Sequence, residues 1–183
     1  MSLVSRTDAA ALSNTLDALS ARKVHVIAPP VSTVRSLTRP RRPLRCVFIA
    51  SDNQMQNRLS IEYLLDLWQR AAPDVELVIY GHMIGHYEAV SNVSFAGFAP
   101  SHADVYTPQS VALCPAFLAG GIKSKVMEVI AYGCVPIGNA MAFEGLGFNE
   151  PALAISDTEF ERFIMNHWPY MDAAVQAAER FAA

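Results

Sequence analysis

Hydrophobic residues in the middle of the chain fall into short unbroken runs, separated by stretches where they recur every three or four positions. Cys46-Val47-Phe48-Ile49-Ala50 is apolar throughout, the pattern of a parallel strand buried on both faces. The turn Ser51-Asp52-Asn53 leads into a predicted helix over 57–71, with Leu59, Tyr63, Leu64, Leu67 and Trp68 on its inner face. Residues 75–80 form a second strand, closed by Gly81. Val93-Ser94-Phe95-Ala96 is a third, short strand, expected to be buried, followed by a turn at Gly97 and a helical turn over 103–106. Val111-Ala112-Leu113-Cys114 is a fourth, stopped by Pro115. A helix ending at Tyr132, with Gly133 as its C-cap, precedes the fifth strand, Val135-Pro136-Ile137-Gly138. Upstream, Leu12, Leu16 and Leu19 lie at helical spacing within 8–19. Val24-His25-Val26-Ile27-Ala28 is a short strand ended by Pro29-Pro30. Downstream, 157–180 reads as mostly helical with a break before Pro169. Met1-Ser2-Leu3 is expected to lie outside the fold.

Strands alternating with helices imply right-handed crossovers and an α/β, Rossmann-like architecture, a parallel sheet with helices on both faces. Ligands of such sheets bind beyond the carboxyl ends of the strands. Three loops there carry polar or flexible residues: Ser51-Asp52-Asn53, Gly81-His82 and 120–125. They are expected to converge in space.

The chemistry concentrates in Gly120-Gly121-Ile122-Lys123-Ser124-Lys125-Val126-Met127-Glu128. Between Arg70 and Arg162, Lys123 and Lys125 are the only lysine or arginine side chains. A glycine pair lets backbone approach a ligand closely, and the first turn of a helix has unpaired N–H groups that favour an anion. Two ammonium groups at that place suit phosphate. One turn on, Glu128 faces the same side as Lys125 and can accept hydrogen bonds from sugar hydroxyls. The combination reads as a nucleotide site.

Composition narrows the class. The 183 residues, 52% of them apolar, suffice for one domain of ordinary size with a large core. No apolar run reaches the roughly 20 residues of a membrane span. The first residues show no charged stretch leading into an apolar run, so no secretion signal is expected. Cys46, Cys114 and Cys134 lie in apolar runs without C-x-x-C spacing, as buried reduced thiols of a cytoplasmic protein would. A net charge of −3 argues against a nucleic-acid partner. Seven of the fourteen Lys and Arg residues nevertheless fall between Arg22 and Arg45, among the prolines at 29, 30, 40 and 43. That segment reads as an extended linker, either simply solvated or a surface for an anionic membrane or an acidic partner. No aromatic residue interleaves with its arginines, which argues against single-stranded nucleic acid.

Several pieces in order resemble one family. Val24 to Val31 looks like a crossing between two domains. Val47-Phe48-Ile49-Ala50-Ser51 with Asn57 resembles that family's opening strand, its loop and the asparagine starting the next helix. Leu77-Val78-Ile79-Tyr80-Gly81 and Val93-Ser94-Phe95-Ala96-Gly97-Phe98 resemble its second and third strands. Pro115, Gly121-x-Lys123-x-Lys125-x-x-Glu128, Gly133-x-x-Pro136 and Glu144-Gly145-Leu146 follow its most diagnostic block. Over 24–147 the chain thus resembles the C-terminal, donor-binding half of GT-B glycosyltransferases of the group 1, or family 4, retaining type.

The resemblance implies roles. Glu128 would hold the ribose hydroxyls of a nucleotide diphosphate-sugar, and the amides of Ile122, Lys123 and Ser124 would face the diphosphate and the sugar. Lys123 or Lys125 would neutralise charge on the departing nucleotide diphosphate, a role that grows in the transition state. Lys123 and Glu128 are the expected catalytic groups. Ser51, Gly81, His82, Gly120, Gly121, Ile122, Lys123, Ser124, Lys125 and Glu128 are the expected donor-binding set. Many members carry a second glutamate eight positions before the ribose-binding one; here that position is Gly120, as in a Gly-x-Lys-x-Lys subgroup. The arginine and lysine pair after the first strand is not evident, and Arg58 is a poor substitute by position.

The implied organisation is residues 1–28 as the tail of an absent N-terminal acceptor domain, 29–44 as an interdomain linker, and 45–183 as the nucleotide-sugar-binding domain. Such a fragment is expected to bind donor without turnover, to need no cofactor and no metal, and to lie in the cytoplasm or at the membrane periphery. His82 and His86 are four apart, but no third ligand sits at a fitting distance, and a loop lining the donor cleft suits His82 better. Asp52 reads as a catalytic carboxylate or as a turn or cap residue. Glu144 reads as a family position or as plain surface. Asn92-Val93-Ser94 spells a glycosylation acceptor, discounted because it enters a strand expected to be buried. Two other readings share the architecture. A non-catalytic flavodoxin-like regulatory module would want an acidic cluster after the first strand, where this chain has Asp52 alone. A sugar-nucleotide epimerase would want further acids and a histidine in the cleft.

Overall fold

A computed structural model of the chain describes residues 2–3, 10, 25–26, 45–118, 123–146, 160 and 162. The first strands are β1 (Ser2–Leu3) and β2 (His25–Val26), paired parallel with Ser2 opposite His25. This corrects the expectation for the first residues: Ser2–Leu3 belongs to a two-stranded sheet. The linker over 29–44 lies outside the described residues. So do the helices expected over 8–19 and 157–180, apart from Ala10, Phe160 and Arg162, all helical.

The body of the domain runs β3 (Arg45–Ile49), α1 (Met55–Ala71), β4 (Glu76–Tyr80), β5 (Val93–Gly97), α2 (His102–Val105), β6 (Ser110–Leu113), α3 (Ser124–Ala131), β7 (Val135–Ile137) and α4 (Ala140–Phe143). Its five strands form one wholly parallel sheet in the order β5-β4-β3-β6-β7. Successive side chains of a strand point to opposite faces. Cys46, Val47 and Phe48 are all buried, as are all four residues of β6 and all three of β7, so both faces of the sheet are covered. The apolar runs have that cause: each strand has a core on either side.

Helix α1 buries Ser60, Ile61, Leu64, Leu67 and Trp68. The inner face is thus rotated from the expected one, with Leu59 and Tyr63 only half-buried at its margin. The indole N–H of Trp68 donates to Val75 O at 3.0 Å and ties the end of the helix to the start of β4. Helix α3 ends in a Schellman arrangement. Gly133, at φ 74°, donates to Ile130 O (2.8 Å), and Cys134 N donates to Val129 O (3.1 Å). The turn delivers the chain straight into β7.

The third strand of the expectation is corrected. β5 is an edge strand whose residues run from half-buried at Val93 to exposed at Phe95. Burial therefore gives no ground for discounting Asn92, which is exposed and donates from Nδ2 to Pro73 O at 3.1 Å. From β3 the chain winds outward through β4 to β5, then returns to β6 on the other side of β3. The strand order reverses between β3 and β6, and a crevice opens there at the carboxyl ends.

Candidate functional site

The crevice holds a cavity of about 350 Å³ between the starts of α1 and α3. Its lining includes Gln54, Asn57 and Ser60 from α1, Pro115 and Ala116 after β6, and Lys123, Ser124 and Lys125. Polar groups fix its walls. The Ser60 hydroxyl lies 3.0 Å from Gln56 O and 2.9 Å from Pro115 O, joining α1 to the loop after β6. Asn139 clamps the same loop from the far side. Its Oδ1 accepts from Ala116 N at 3.1 Å and its Nδ2 donates to Ala116 O at 2.8 Å.

Lys123 is the N-cap of α3, in extended conformation, with no side-chain cap bond. The first turn of α3 carries no acidic residue, and the start of the helix, its positive end, lines the cavity. Lys123 Nζ lies 3.5 Å from Glu144 Oε2, which places Glu144 beside the cavity rather than on remote surface. Lys125 Nζ lies 4.1 Å from the centroid of the buried Phe48 ring. Burial holds its pKa below the usual lysine range, against the opposing influence of Cys114 and Glu128. All three cysteines are free and buried. Burial pushes the Cys114 and Cys134 thiols up to about 12, so they are neutral packing groups.

Of the expected donor-binding residues, the structure brings Lys123, Ser124 and Lys125 together in the cavity. Gly120, Gly121 and Ile122 lie outside the described residues. Glu128 stands one turn along α3, and its Oε1 contacts His102 Nδ1 of α2. Ser51, Gly81 and His82 form a separate cluster at the ends of β3 and β4, outside the cavity lining. Ser51 Oγ accepts from His82 N at 3.1 Å, and the exposed His82 ring lies parallel to that of Phe98, 6.2 Å between centroids. A Cβ on Gly81 would stand 2.1 Å from Ala50 O, and its φ is 134°, so only glycine lets the two strand ends come this close.

Asp52 proves to be an anchor. Its buried carboxylate accepts from Ile84 N (2.7 Å), Gly85 N (2.7 Å) and Tyr87 Oη (2.9 Å), folding 82–87 back over the end of β3. The Ile84 bond above all holds its pKa below the ordinary carboxylate value, outweighing burial. It is not a helix cap: α1 is preceded by Gln54, with no side-chain cap bond. Arg58 donates to Asp52 O at 3.3 Å and does not line the cavity. Among the described residues no group of three His, Cys, Asp or Glu is arranged to hold a metal ion, and no helix is long and apolar enough to cross a membrane.

Sequence reasoning passed over Ser60, Asn139 and His102. The signal for Ser60 was a hydroxyl in an apolar helical stripe, and for Asn139 a polar residue directly beyond a strand. For His102 there was none, since its partner is on another helix.

No protein-family model and no curated protein sequence matches the chain. Solved structures do. The pneumococcal O-GlcNAc transferase GtfA, in complex with UDP and GlcNAc, matches 98% of this chain with a TM-score of 0.68 at 16% identity. The lipopolysaccharide outer core galactosyltransferase WaaB in its apo form matches 98% at a TM-score of 0.64 and 14% identity. TarM matches 99% at a TM-score of 0.66 and 10% identity. The fold is one that glycosyltransferases use. The chain spans 41%, 57% and 39% of the lengths of these three proteins.

Proposed function

We propose that this chain is the C-terminal, donor-binding domain of a retaining GT-B glycosyltransferase of the group 1 type, with the cavity at the start of α3 receiving a nucleotide diphosphate-sugar. One observation carries the reading: Lys123, Lys125 and the positive end of α3 meet in a cavity at the reversal point of the sheet. The likeness to glycosyltransferases is one of fold, and supports the reading at that level. UDP is bound in the GtfA structure, which makes a uridine donor the first to try here.

In the reaction the bond between the sugar's anomeric carbon and the diphosphate oxygen breaks. A bond to an acceptor hydroxyl forms on the same face of the sugar. Negative charge grows on the departing diphosphate, and the two ammonium groups with the α3 amides would stabilise it. Glu128 would receive the ribose hydroxyls. Acceptor binding belongs, on this reading, to the part of such enzymes that this chain does not span, so the chain alone would bind donor without transferring sugar.

Asp52 weighs against a receiver-like module, because its carboxylate is engaged by three donors of the 82–87 loop. The test is calorimetric titration of the chain with UDP, GDP and ADP, alongside Lys123→Ala. Saturable binding of one nucleotide, weakened about tenfold or more in the variant, is the expected result. Equal affinity in the wild type and the variant would sink the assignment.

A further inference from the structure

Glu128 is not a loose surface carboxylate. Its Oε1 contacts Nδ1 of His102, which opens α2. The histidine is itself held. Ser101 caps α2, its Oγ accepting from Ala103 N at 3.2 Å, and Val105 and Tyr106 at the end of the helix are buried. The His102 ring stands edge-on to Tyr132 with 5.9 Å between centroids, and tilted against Tyr106 at 6.1 Å. The two tyrosine rings lie 5.7 Å apart, so three rings form one packed group against α3. An aromatic frame therefore presents one N–H donor to one carboxylate oxygen.

That arrangement has a consequence for a ligand. A glutamate on a helix surface samples several rotamers, and fixing it costs side-chain entropy. His102 supplies that fixation before any ligand arrives. With Oε1 accepting from His102, Oε2 remains to accept from a ligand hydroxyl. Glu128 lies one helical turn, about 5.4 Å, beyond the start of α3. On the donor-site reading, a nucleoside diphosphate with its phosphates at the helix start would have its ribose next in line, beyond the residues that line the cavity itself.

We infer that His102 is a positioning residue of the donor site, fixing the Glu128 carboxylate in the orientation that receives the ribose hydroxyls. The inference rests on the donor-site reading above and adds to it a determinant of ribose recognition. The other groups near the carboxylate are Lys125 on the same helix, Tyr106 and Tyr132 in the aromatic frame, and Cys114 at the end of β6. Lys125 faces the cavity. The buried Tyr106 hydroxyl has its pKa raised, by burial first and by Glu128 among its neighbours, and the Cys114 thiol is likewise neutral.

The test compares each nucleoside diphosphate with its 2′-deoxy counterpart, UDP with 2′-deoxy-UDP and the guanine and adenine pairs likewise. Calorimetry on the full chain covers the wild type, His102→Ala, His102→Gln, Glu128→Ala and the His102→Ala/Glu128→Ala double variant. The wild type is expected to prefer the ribonucleotide by about tenfold. His102→Ala should cut that preference to about twofold, with a smaller loss of affinity for the deoxynucleotide, which keeps its 3′-hydroxyl. His102→Gln, whose amide can still donate to the carboxylate, should restore most of it. The double variant should lose no more than Glu128→Ala, as expected of two residues acting as a unit. A preference intact in His102→Ala overturns the inference. So does an equal loss for both sugars accompanied by a lower melting temperature, which marks a mere tie between α2 and α3. No binding of any nucleoside diphosphate to the wild type overturns the donor-site reading, and this inference with it.

Discussion

The Lys125 ammonium lies 4.1 Å from the centroid of the Phe48 ring, so a charge lining the site rests on a core side chain of β3. The contact is a cation–π pair, worth about 0.5–2 kcal/mol depending on desolvation. Burial depresses the lysine pKa, and Cys114 and Glu128 only partly oppose it. The ammonium therefore loses its proton at lower pH than an ordinary lysine, whose value is about 10.4. Diphosphate affinity is expected to fall as pH rises through the depressed value, already below the ordinary lysine range. Lys125→Arg, which stays charged, should flatten the profile. Stability moves the opposite way. Between the folded and unfolded pKa values the unfolded chain holds more protons, so folding becomes more favourable as pH rises across that window. Titrations between neutral pH and about pH 10, paired with thermal melts, check both signs. An affinity flat over that range in the wild type would remove Lys125 from the diphosphate site.

Asp52 makes a different pH prediction. Its carboxylate is stabilised in the ionised form by Ile84 N first, with Gly85 N, Tyr87 and Arg58 adding to it. A depressed carboxylate pKa contributes stability above the unfolded value of about 3.9 and loses it as pH falls through the folded value. The amides of Ile84 and Gly85 should be protected from hydrogen exchange at neutral pH and lose that protection in acid. In Asp52→Ala the two amides should exchange rapidly at every pH, and the melting temperature should fall by several degrees. Protection that persists in the variant would mean that the loop is held by something other than this carboxylate.

How far the fold could be read in advance follows from where each element's partners lie. β3 from Cys46, β6 from Val111 and all of β7 are apolar at consecutive positions because each has a covered face on both sides, and that signal is local. β5 carries much the same letters, Val93-Ser94-Phe95-Ala96, but its place at the edge depends on which strand it pairs with, and the run itself does not encode that. Ser60 sits deep in the face of α1 because a carbonyl 55 residues away, at Pro115, meets it. In the site, Lys123, Ser124 and Lys125 were legible as neighbours at a helix start. The Lys125–Glu128 relation was legible as helical spacing. The His102–Glu128 contact joins two helices, and the Asp52 loop joins two strand ends over 32 to 35 positions, so neither leaves a mark in either stretch alone.

Gly81 joins β3 to β4 so closely that a side chain has no room. An added Cβ would lie 2.1 Å from Ala50 O and 3.2 Å from Ser51 N, at a φ of 134° that other residues rarely adopt. Gly81→Ala is expected to cost at least about 3 kcal/mol, from backbone strain and steric overlap together. Chemical denaturation measures the cost. A loss below about 1 kcal/mol would show that the two strand ends can separate cheaply, and that the Ser51–His82 cluster is not held rigidly.

Asn139 is the opposite case, a polar side chain that the interior needs. It is buried, and its carboxamide pairs with both the N–H and the C=O of Ala116. Asn139→Ala strands both backbone groups, and an unsatisfied buried polar group costs about 1–3 kcal/mol. Asn139→Asp separates the two bonds. One carboxylate oxygen can still accept from Ala116 N, but the other faces the Ala116 carbonyl in a buried site, which favours the protonated acid. The introduced carboxyl should therefore have a raised pKa, and its destabilisation should be largest at neutral pH and relieved on acidification, when the O–H can donate to the carbonyl. A variant that melts lower than Asn139→Ala at pH 7 and recovers toward the wild type near pH 4 would carry that signature. Ala116 also lines the cavity, so nucleotide affinity should follow stability in this series. A melting temperature for Asn139→Asp that does not change with pH would show that the carboxamide faces solvent and does not clamp the loop.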